Sequence, residues 1–399
     1  MSYYILPRIN CQVNEANIKL QFGQNNDNVY INKSLSQYLN DVKEQIDVYI
    51  NDWDEIKKRT NPFEYIHTTI PHTKTSISKI KPISRSFYKM IEICNTIHLL
   101  DPYKNIDINT FHLAEGPGGF IEAMVYMRQK PNDTYYGMTL IDASNSKVPG
   151  WRKADNFLAK NPNIIIEKGA DGTGNLYKPA NLKYCQDKYS NMVEIITADG
   201  GFDFSIAFEK QERLALRLIF SQIAFAITMQ KYKGSFILKV FDIFLRSTTE
   251  LIYLLSCFYE KVYIIKPHTS RYANSEKYIV CKYFKHHHTS AISNKFFAVF
   301  SVLDKLDFAK YSITSLLNIP IQYYYLIQLT EFNAIFGQQQ IENIIKTMLV
   351  IEQQSSRRDY QGHGRHTNIH KCIQWCNKNN IPYNRNLCPK NIFLSGESQ

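Results

Sequence analysis

Ala114-Glu115-Gly116-Pro117-Gly118-Gly119-Phe120 is a glycine-rich turn, with an apolar run at 111–113 before it and a segment of helical character after it. A strand, a tight glycine turn and a helix start, in that order, let the backbone approach a nucleotide-like ligand, because glycine accepts positive φ without steric cost. The spacing departs from the G-x-G-x-x-G fingerprint of dinucleotide sites, which argues against a nicotinamide cofactor.

Outward from this turn, apolar runs at 111–113, 135–140, 164–166, 193–197, 235–241, 262–265 and 278–281 alternate with longer helical segments, notably 206–230. Strands alternating with helices imply crossover connections and a mostly parallel sheet, so the fold class is α/β. This region spans 76–290. Residues 1–75 read as an N-terminal extension with a helix around 35–57 and no recognisable chemistry. Residues 291–399 read as a mainly helical, polar extension with an Asn- and Ser-rich tail.

The 399 residues suffice for one large domain with extensions, or for two. A net charge of +11 favours a polyanionic partner, nucleic acid first among them. No basic segment followed by an apolar one opens the chain, which argues against secretion. The most apolar long stretch, 214–229, contains Arg217 and is too short to span a bilayer, so the reading is a soluble intracellular protein. Eight scattered cysteines show no disulfide framework. His363, His366, His370, Cys372, Cys376 and Cys388 cluster near the C-terminus, but their spacing fits no standard zinc finger. Cys372 and Cys376 read equally well as a small apolar i, i+4 pair on a helix.

In an open parallel sheet, ligands bind beyond the carboxyl ends of the strands, and four places there carry chemistry. Asp199 ends an apolar strand and precedes Gly200 and Gly201, so it faces the same crevice as the glycine turn or else serves as a turn former. Lys239 lies in a strand among apolar neighbours; it is either desolvated, and paired with an acid, or an edge-strand lysine reaching solvent. Glu276, in the polar loop before the last strand, either accepts a hydrogen bond from a lysine or a substrate hydroxyl, or forms a solvated pair with Lys277. Lys89 sits on a helix beginning near Ser84 whose buried stripe is Phe87, Ile91, Cys94 and Ile97. It falls off that stripe, toward solvent or the crevice, with Glu92 as the intrahelical alternative.

Together these residues resemble one family. Lys89, Asp199, Lys239 and Glu276, flanking E-G-P-G-G-F, are similar to the Lys-Asp-Lys-Glu tetrad of the FtsJ-like RNA 2′-O-ribose methyltransferases, and within that family to the messenger-RNA cap ribose methyltransferases. The matching segments are Lys89-Met90, 115–120, Gly137-Met138-Thr139-Leu140, Asp171-Gly172-Thr173-Gly174-Asn175, 198–202 and 274–278, so the resemblance covers about 84–282. Glu115 departs from the commoner Ala-Gly wording, with an effect on the methionine pocket as the consequence.

The resemblance implies a Rossmann-like methyltransferase fold with a mostly parallel seven-stranded sheet. It also implies S-adenosylmethionine over the turn: Gly116, Pro117, Gly118 and Gly119 by its methionine arm, Asp142 by the ribose, Asp171 by the adenine edge, and Asp199 closing the pocket. A ribose 2′-hydroxyl is a poor nucleophile at neutral pH and needs a base. Lys239, with Lys89 nearby, takes that role, Asp199 and Glu276 orient the lysines, and no metal is required. Arg271 and Asn274 are candidates for the target nucleotide or its phosphate, and Arg85 for flanking phosphates. The implied substrate is 5′-capped mRNA, methylated on the first transcribed nucleotide, in association with other capping or transcription proteins. The implied compartment is the cytoplasm, including a virion or viral factory for a viral protein, or the nucleus. A ribosomal or transfer RNA methyltransferase and an inactive RNA-binding scaffold are the alternatives. The intact tetrad argues against the second, and the long extensions against the first.

Overall fold

The structure, a computed structural model, describes residues 3–24, 29–142, 144, 145, 148, 150–201, 211–356 and 363–387. In chain order the strands are β1 (Tyr3–Ile5), β2 (Ile18–Gln24), β3 (Asn109–Leu113), β4 (Thr134–Met138), β5 (Ile164–Ile166), β6 (Val193–Ala198), β7 (Gln230–Val240), β8 (Tyr259–Ile265), β9 (Lys277–Phe284) and β10 (Tyr311–Leu317). The helices are α1 (Lys33–Glu44), α2 (Ile50–Thr60), α3 (Ser86–Thr96), α4 (Gly119–Arg128), α5 (Asp155–Lys160), α6 (Pro179–Tyr189), α7 (Gln211–Met229), α8 (Arg246–Phe258), α9 (Ser290–Leu303), α10 (Tyr323–Ser356) and α11 (His363–Lys378).

The seven strands expected from the apolar runs all form, but the sheet has eight, in the order β1-β8-β9-β7-β6-β3-β4-β5. The added strand is β1, whose residues 3–5 pair antiparallel with β8. Pairing is parallel from β5 through β4, β3 and β6 to β7, and antiparallel at β7–β9, β9–β8 and β8–β1. From β3 the chain moves outward through β4 and β5, then returns to place β6 on the other side of β3. The crevice of a doubly wound sheet opens at this reversal, between the carboxyl ends of β3 and β6.

Alternate residues along each strand feed two cores, as the period-2 geometry of a strand requires. Phe111, Leu113, Ile196, Ala198, Phe236 and Leu238 pack against α6, α7, α8 and α9. Tyr135, Ile195, Ile237, Tyr278 and Val280 pack against α3, α4 and α11. The flanking regions take part in both cores: Leu6, Ile9, Val13, Phe296 and Phe332 lie in the first, and Ile369, Cys372, Trp375 and Cys376 in the second. A third cluster joins Leu39, Val42, Ile46 and Trp53 to Phe244, just before α8, and to Ile341, Ile344 and Met348 of α10.

Several expectations for the outer parts need correction. The helix expected over 35–57 is two helices joined by a 3-10 segment, Gln45–Tyr49. The C-terminal part, expected to be mainly helical, carries α9, α10 and α11 and one strand besides, β10, which pairs antiparallel with β2 in a separate two-stranded sheet. Cys372 and Cys376 are fully buried and pack as a small apolar pair, while His370 Nε2 lies 3.0 Å from Gln374 Nε2. The side chains of His363 and His366, and all of Cys388, lie outside the described residues, as do 202–210, the first part of the helix expected over 206–230. Among the described residues, no helix is long and apolar enough to cross a membrane.

Candidate active site

Strand register brings two of the four singled-out residues into one row and a third close to it. Leu113 pairs with Ala198, and Ala198 with Leu238, so Ala114, Asp199 and Lys239 follow side by side at the end of the sheet. Lys239 is opposite Tyr278 on β9, which leaves Glu276 just beyond that strand. From the other face, α3 delivers Lys89.

Lys239 Nζ donates to the Asp199 carbonyl oxygen at 2.7 Å and lies 3.2 Å from its carboxylate. Tyr278 donates its hydroxyl to the same carboxylate at 2.8 Å. The edge-strand alternative for Lys239 and the turn-former alternative for Asp199 are therefore both set aside. Lys89, 6% exposed, bonds Glu276 at 2.8 Å and not Glu92. Glu92 is occupied by the amides of His268 and Thr269 and by the Thr269 hydroxyl. Lys277 turns inward to Phe241 O and Asp242, so the solvated Glu276–Lys277 pair does not form.

The electrostatics follow from burial opposed by pairing. Desolvation alone would raise the pKa of Glu276, but the ammonium groups of Lys89 and Lys239 overcome it and hold the carboxyl well below its ordinary range. Burial lowers the pKa of Lys89, opposed by Glu276 and Asp199 and reinforced by Arg85 and Lys239. Burial, with Asp199 and Glu276, raises that of Tyr278, so its hydroxyl remains a donor. The result is a crevice holding two lysines, each matched by one acid.

At the turn, Gly118 has φ of +118° and Ala114 adopts φ of +52°. The latter is a left-handed conformation that costs a residue with a side chain energy and is found preferentially at functional sites. Glu115 is 4% exposed, and its Oε1 accepts from the amides of Phe120 at 2.7 Å and Ile121 at 3.0 Å, capping α4. Its Oε2 is buried without a hydrogen-bond partner among the described residues. Sequence reasoning passed over Ser84 and Ser86, whose hydroxyls bond each other at 2.7 Å against the start of α4. A Cβ at Gly119 would lie 2.1 Å from Ser86 Oγ. Their S-R-S setting five and three residues before Lys89 was the available signal, although the helix begins at Ser86 and not at Ser84.

The loop after β5 is pinned beside the end of β4 by Ile141 N, which donates to Thr173 O, and closes on itself through Gly174 N to Lys168 O, both at 2.8 Å. Gly174, at φ of +63°, is so close to β4 that a Cβ there would lie 2.0 Å from Thr139 O. Gly174→Ala is therefore expected to cost about 2 kcal/mol or more, from left-handed strain plus a backbone clash, as read by urea unfolding. Asp171 Oδ1 accepts from Thr173 N, Thr173 Oγ1 and Asn181 Nδ2 at 2.7–3.0 Å, and the half-buried Asp142 accepts from Ser144 N and Oγ.

The three substrate candidates separate. Arg85 lies beside the Lys89–Glu276 pair and donates to Thr269 O at 3.3 Å. Asn274 is exposed. Arg271 is engaged elsewhere: its Nε and Nη2 grip the fully buried Glu64 at 3.0 and 2.6 Å, a bidentate pair that the sequence reading did not foresee.

A family model described as FtsJ-like methyltransferase matches residues 82–284, just over half of the chain and all four residues of the crevice. The chain belongs to the FtsJ-like methyltransferase family. Cap-specific mRNA (nucleoside-2′-O-)-methyltransferase 1 of Mus musculus is 35% identical over 190 residues, covering 46% of this chain and 22% of that protein. Cap-specific mRNA (nucleoside-2′-O-)-methyltransferase 2 of Drosophila melanogaster is 26% identical over 272 residues, covering 64% and 37%. Among solved structures, human Methyltransferase-like protein 13 in complex with SAH matches with a TM-score of 0.35 and 11% identity, over 56% of this chain and 94% of that one. The chain thus spans between about a fifth and two fifths of the length of these two curated relatives.

Within this FtsJ-like domain, Glu115 carries a pH dependence. Burial pushes its pKa up to about 8, against the Ile121 and Phe120 amides and the Lys239 charge, with Asp199 reinforcing the rise. A carboxyl raised in the folded state stabilises fully below its unfolded pKa and loses that contribution as pH rises toward 8. Glu115→Gln, which keeps the acceptor for both amides, is expected to match wild type at pH 4 and to exceed it by up to a few kcal/mol at pH 8.5 in chemical denaturation.

Proposed function

We propose that this chain is an S-adenosylmethionine-dependent RNA 2′-O-ribose methyltransferase acting on 5′-capped mRNA at the first transcribed nucleotide. The observation that carries the reading is the pair of matched lysines, Lys89–Glu276 and Lys239–Asp199, at the strand-order reversal beside the glycine turn. The residues fit the cofactor: the turn offers close backbone approach, and a buried carboxyl oxygen without a partner at Glu115 suits a ligand bearing positive charge. When bound, the cofactor supplies an electrophilic methyl group on a sulfonium.

Gly116, Pro117, Gly118 and Gly119 hold its methionine arm with Ser84 and Ser86, and Asp142 and Asp171 face its nucleoside. Lys239, as the neutral amine left once its own proton has gone to solvent, takes the proton from the 2′-hydroxyl, and Asp199, fixed by Tyr278, keeps its Nζ in place. Lys89, held by Glu276, stabilises the developing alkoxide. A substrate with a 2′-hydroxyl must be RNA. Asn274 and Arg85 bind the target nucleotide and its phosphate, and Arg271 steadies the loop that carries Asn274. The names of the relatives, with the net charge of +11, support a capped transcript as substrate. Such a protein works beside other capping or transcription proteins, in the cytoplasm or nucleus.

The test is methyl transfer from labelled S-adenosylmethionine to short RNAs with and without a cap, for wild type and Lys239→Ala. Label on the 2′-oxygen of the first nucleotide of capped RNA, lost in the variant, is the expected result. Transfer to uncapped RNA would point to a ribosomal or transfer RNA substrate. Cofactor binding without transfer to any RNA would point to a scaffold.

A further inference from the structure

Residues 271–277 carry Asn274 and Glu276, yet three of the groups that hold this loop come from outside the family-matched region 82–284. Gln340 of α10, 3% exposed, donates from Nε2 to Ala273 O at 3.1 Å and to Ser275 Oγ at 3.2 Å. Ser275 donates its own hydroxyl to Asp242 at 3.0 Å, and that carboxylate is held at 2.7 Å by Lys43 of α1. Glu64, in the 3-10 turn Glu64–Ile66, fixes Arg271 at the head of the loop through two hydrogen bonds. From inside the sheet, Lys266 donates to the carbonyl oxygens of Asn274 and Glu276. The contacts of Gln340, Glu64 and Lys266 reach the loop directly, and Lys43 acts one step removed, through the Asp242 carboxylate that accepts from Ser275.

A loop secured from two distant parts of the chain does not need three separate buried polar grips merely to fold, since each costs desolvation that only its partner offsets. Such grips do set the loop's position to a fraction of an ångström, which is what alignment of a reacting hydroxyl requires. Resting on the function proposed above, we propose that the flanking regions are part of the RNA side of the site, with Gln340, Glu64 and Lys43 as positioning residues that hold 271–277 in the conformation presenting Asn274 and Glu276 to bound RNA. The cofactor side, built on β3, β4 and the glycine turn, lies outside their reach.

Two variants of the full-length chain separate positioning from bulk stability. Gln340→Leu removes both donated bonds, and Gln340→Glu keeps the volume but faces the Ala273 carbonyl with an acceptor. Both are expected to lower kcat/KM for RNA about tenfold, with the loss partly in RNA KM, while the Kd for S-adenosylhomocysteine stays within about twofold of wild type. Amide exchange over 273–277 should accelerate in both, with no change in β3 and β4. Unaltered turnover and exchange in either variant, or an equal loss of cofactor and RNA binding, overturns the inference. If wild type methylates no RNA, the functional reading fails by itself, and amide exchange still decides whether Gln340 positions the loop.

Discussion

Lys239→Ala is expected to reduce methyl transfer to capped RNA about a thousandfold, within the range that removal of a general base produces. Nothing else in the row replaces it: Asp199 accepts from Lys239 and Tyr278, and the Lys89 ammonium is committed to Glu276. The loss should fall on kcat, because Lys239 lies beyond the turn proposed to hold the cofactor, and S-adenosylhomocysteine affinity should change little. Calorimetric binding beside single-turnover methyl transfer separates the two. A variant retaining more than about a tenth of wild-type turnover would remove Lys239 from the role of base.

Asp242→Asn is expected to be the most destabilising of these substitutions, at about 3–5 kcal/mol, because it strands two buried ammonium groups at once. Lys43 lies 2.7 Å and Lys277 3.4 Å from this carboxylate, and all three residues are at most 6% exposed. Burial alone would raise the pKa of Asp242; the two lysines overcome it and hold the carboxyl far below its ordinary range. A depressed carboxyl contributes stability above its unfolded pKa and loses it as pH falls through the folded value. The gap between wild type and variant should therefore be full at pH 7 and narrow below about pH 4. Urea unfolding at both pH values checks it, and a gap that persists unchanged in acid would assign the loss to packing. Because Asp242 also anchors Ser275, the surviving folded variant should show a weaker hold on the loop before β9.

These two expectations draw on different levels of information. Asp199, Lys239 and Glu276 were legible one at a time, as polar residues at the end of, within and just before apolar runs, and seven strands of the large sheet were legible because strands in such a sheet write continuous apolar segments. Lys89 could be placed on a helix, but its direction could not, because α3 is buried around its whole circumference and offers no polar face to read. β1 escaped notice because three residues are too few to show a period. β10 escaped because its register shifts between Ile313 and Ser315 and again between Ser315 and Leu317, which breaks the alternation that marks a strand. Arg271 was misdirected for a further reason. Its partner Glu64 lies 207 positions away in a segment without periodic pattern, and no spacing rule reports a contact that only folding makes.

The sequence by itself determined the α/β class, the glycine turn and the four charged residues that stand out around the sheet's end, since apolar runs, turn residues and charged groups beside them are local properties of the chain. Tertiary structure alone decided that Lys89 meets Glu276, that Asp199 meets Lys239 and Tyr278, and that α1 and α10 close on the loop before β9. Those pairings depend on strand order, register and the docking of distant helices. Each is set by the burial of apolar faces that many sequences could satisfy, and the polar contacts form only once that burial has placed the partners together.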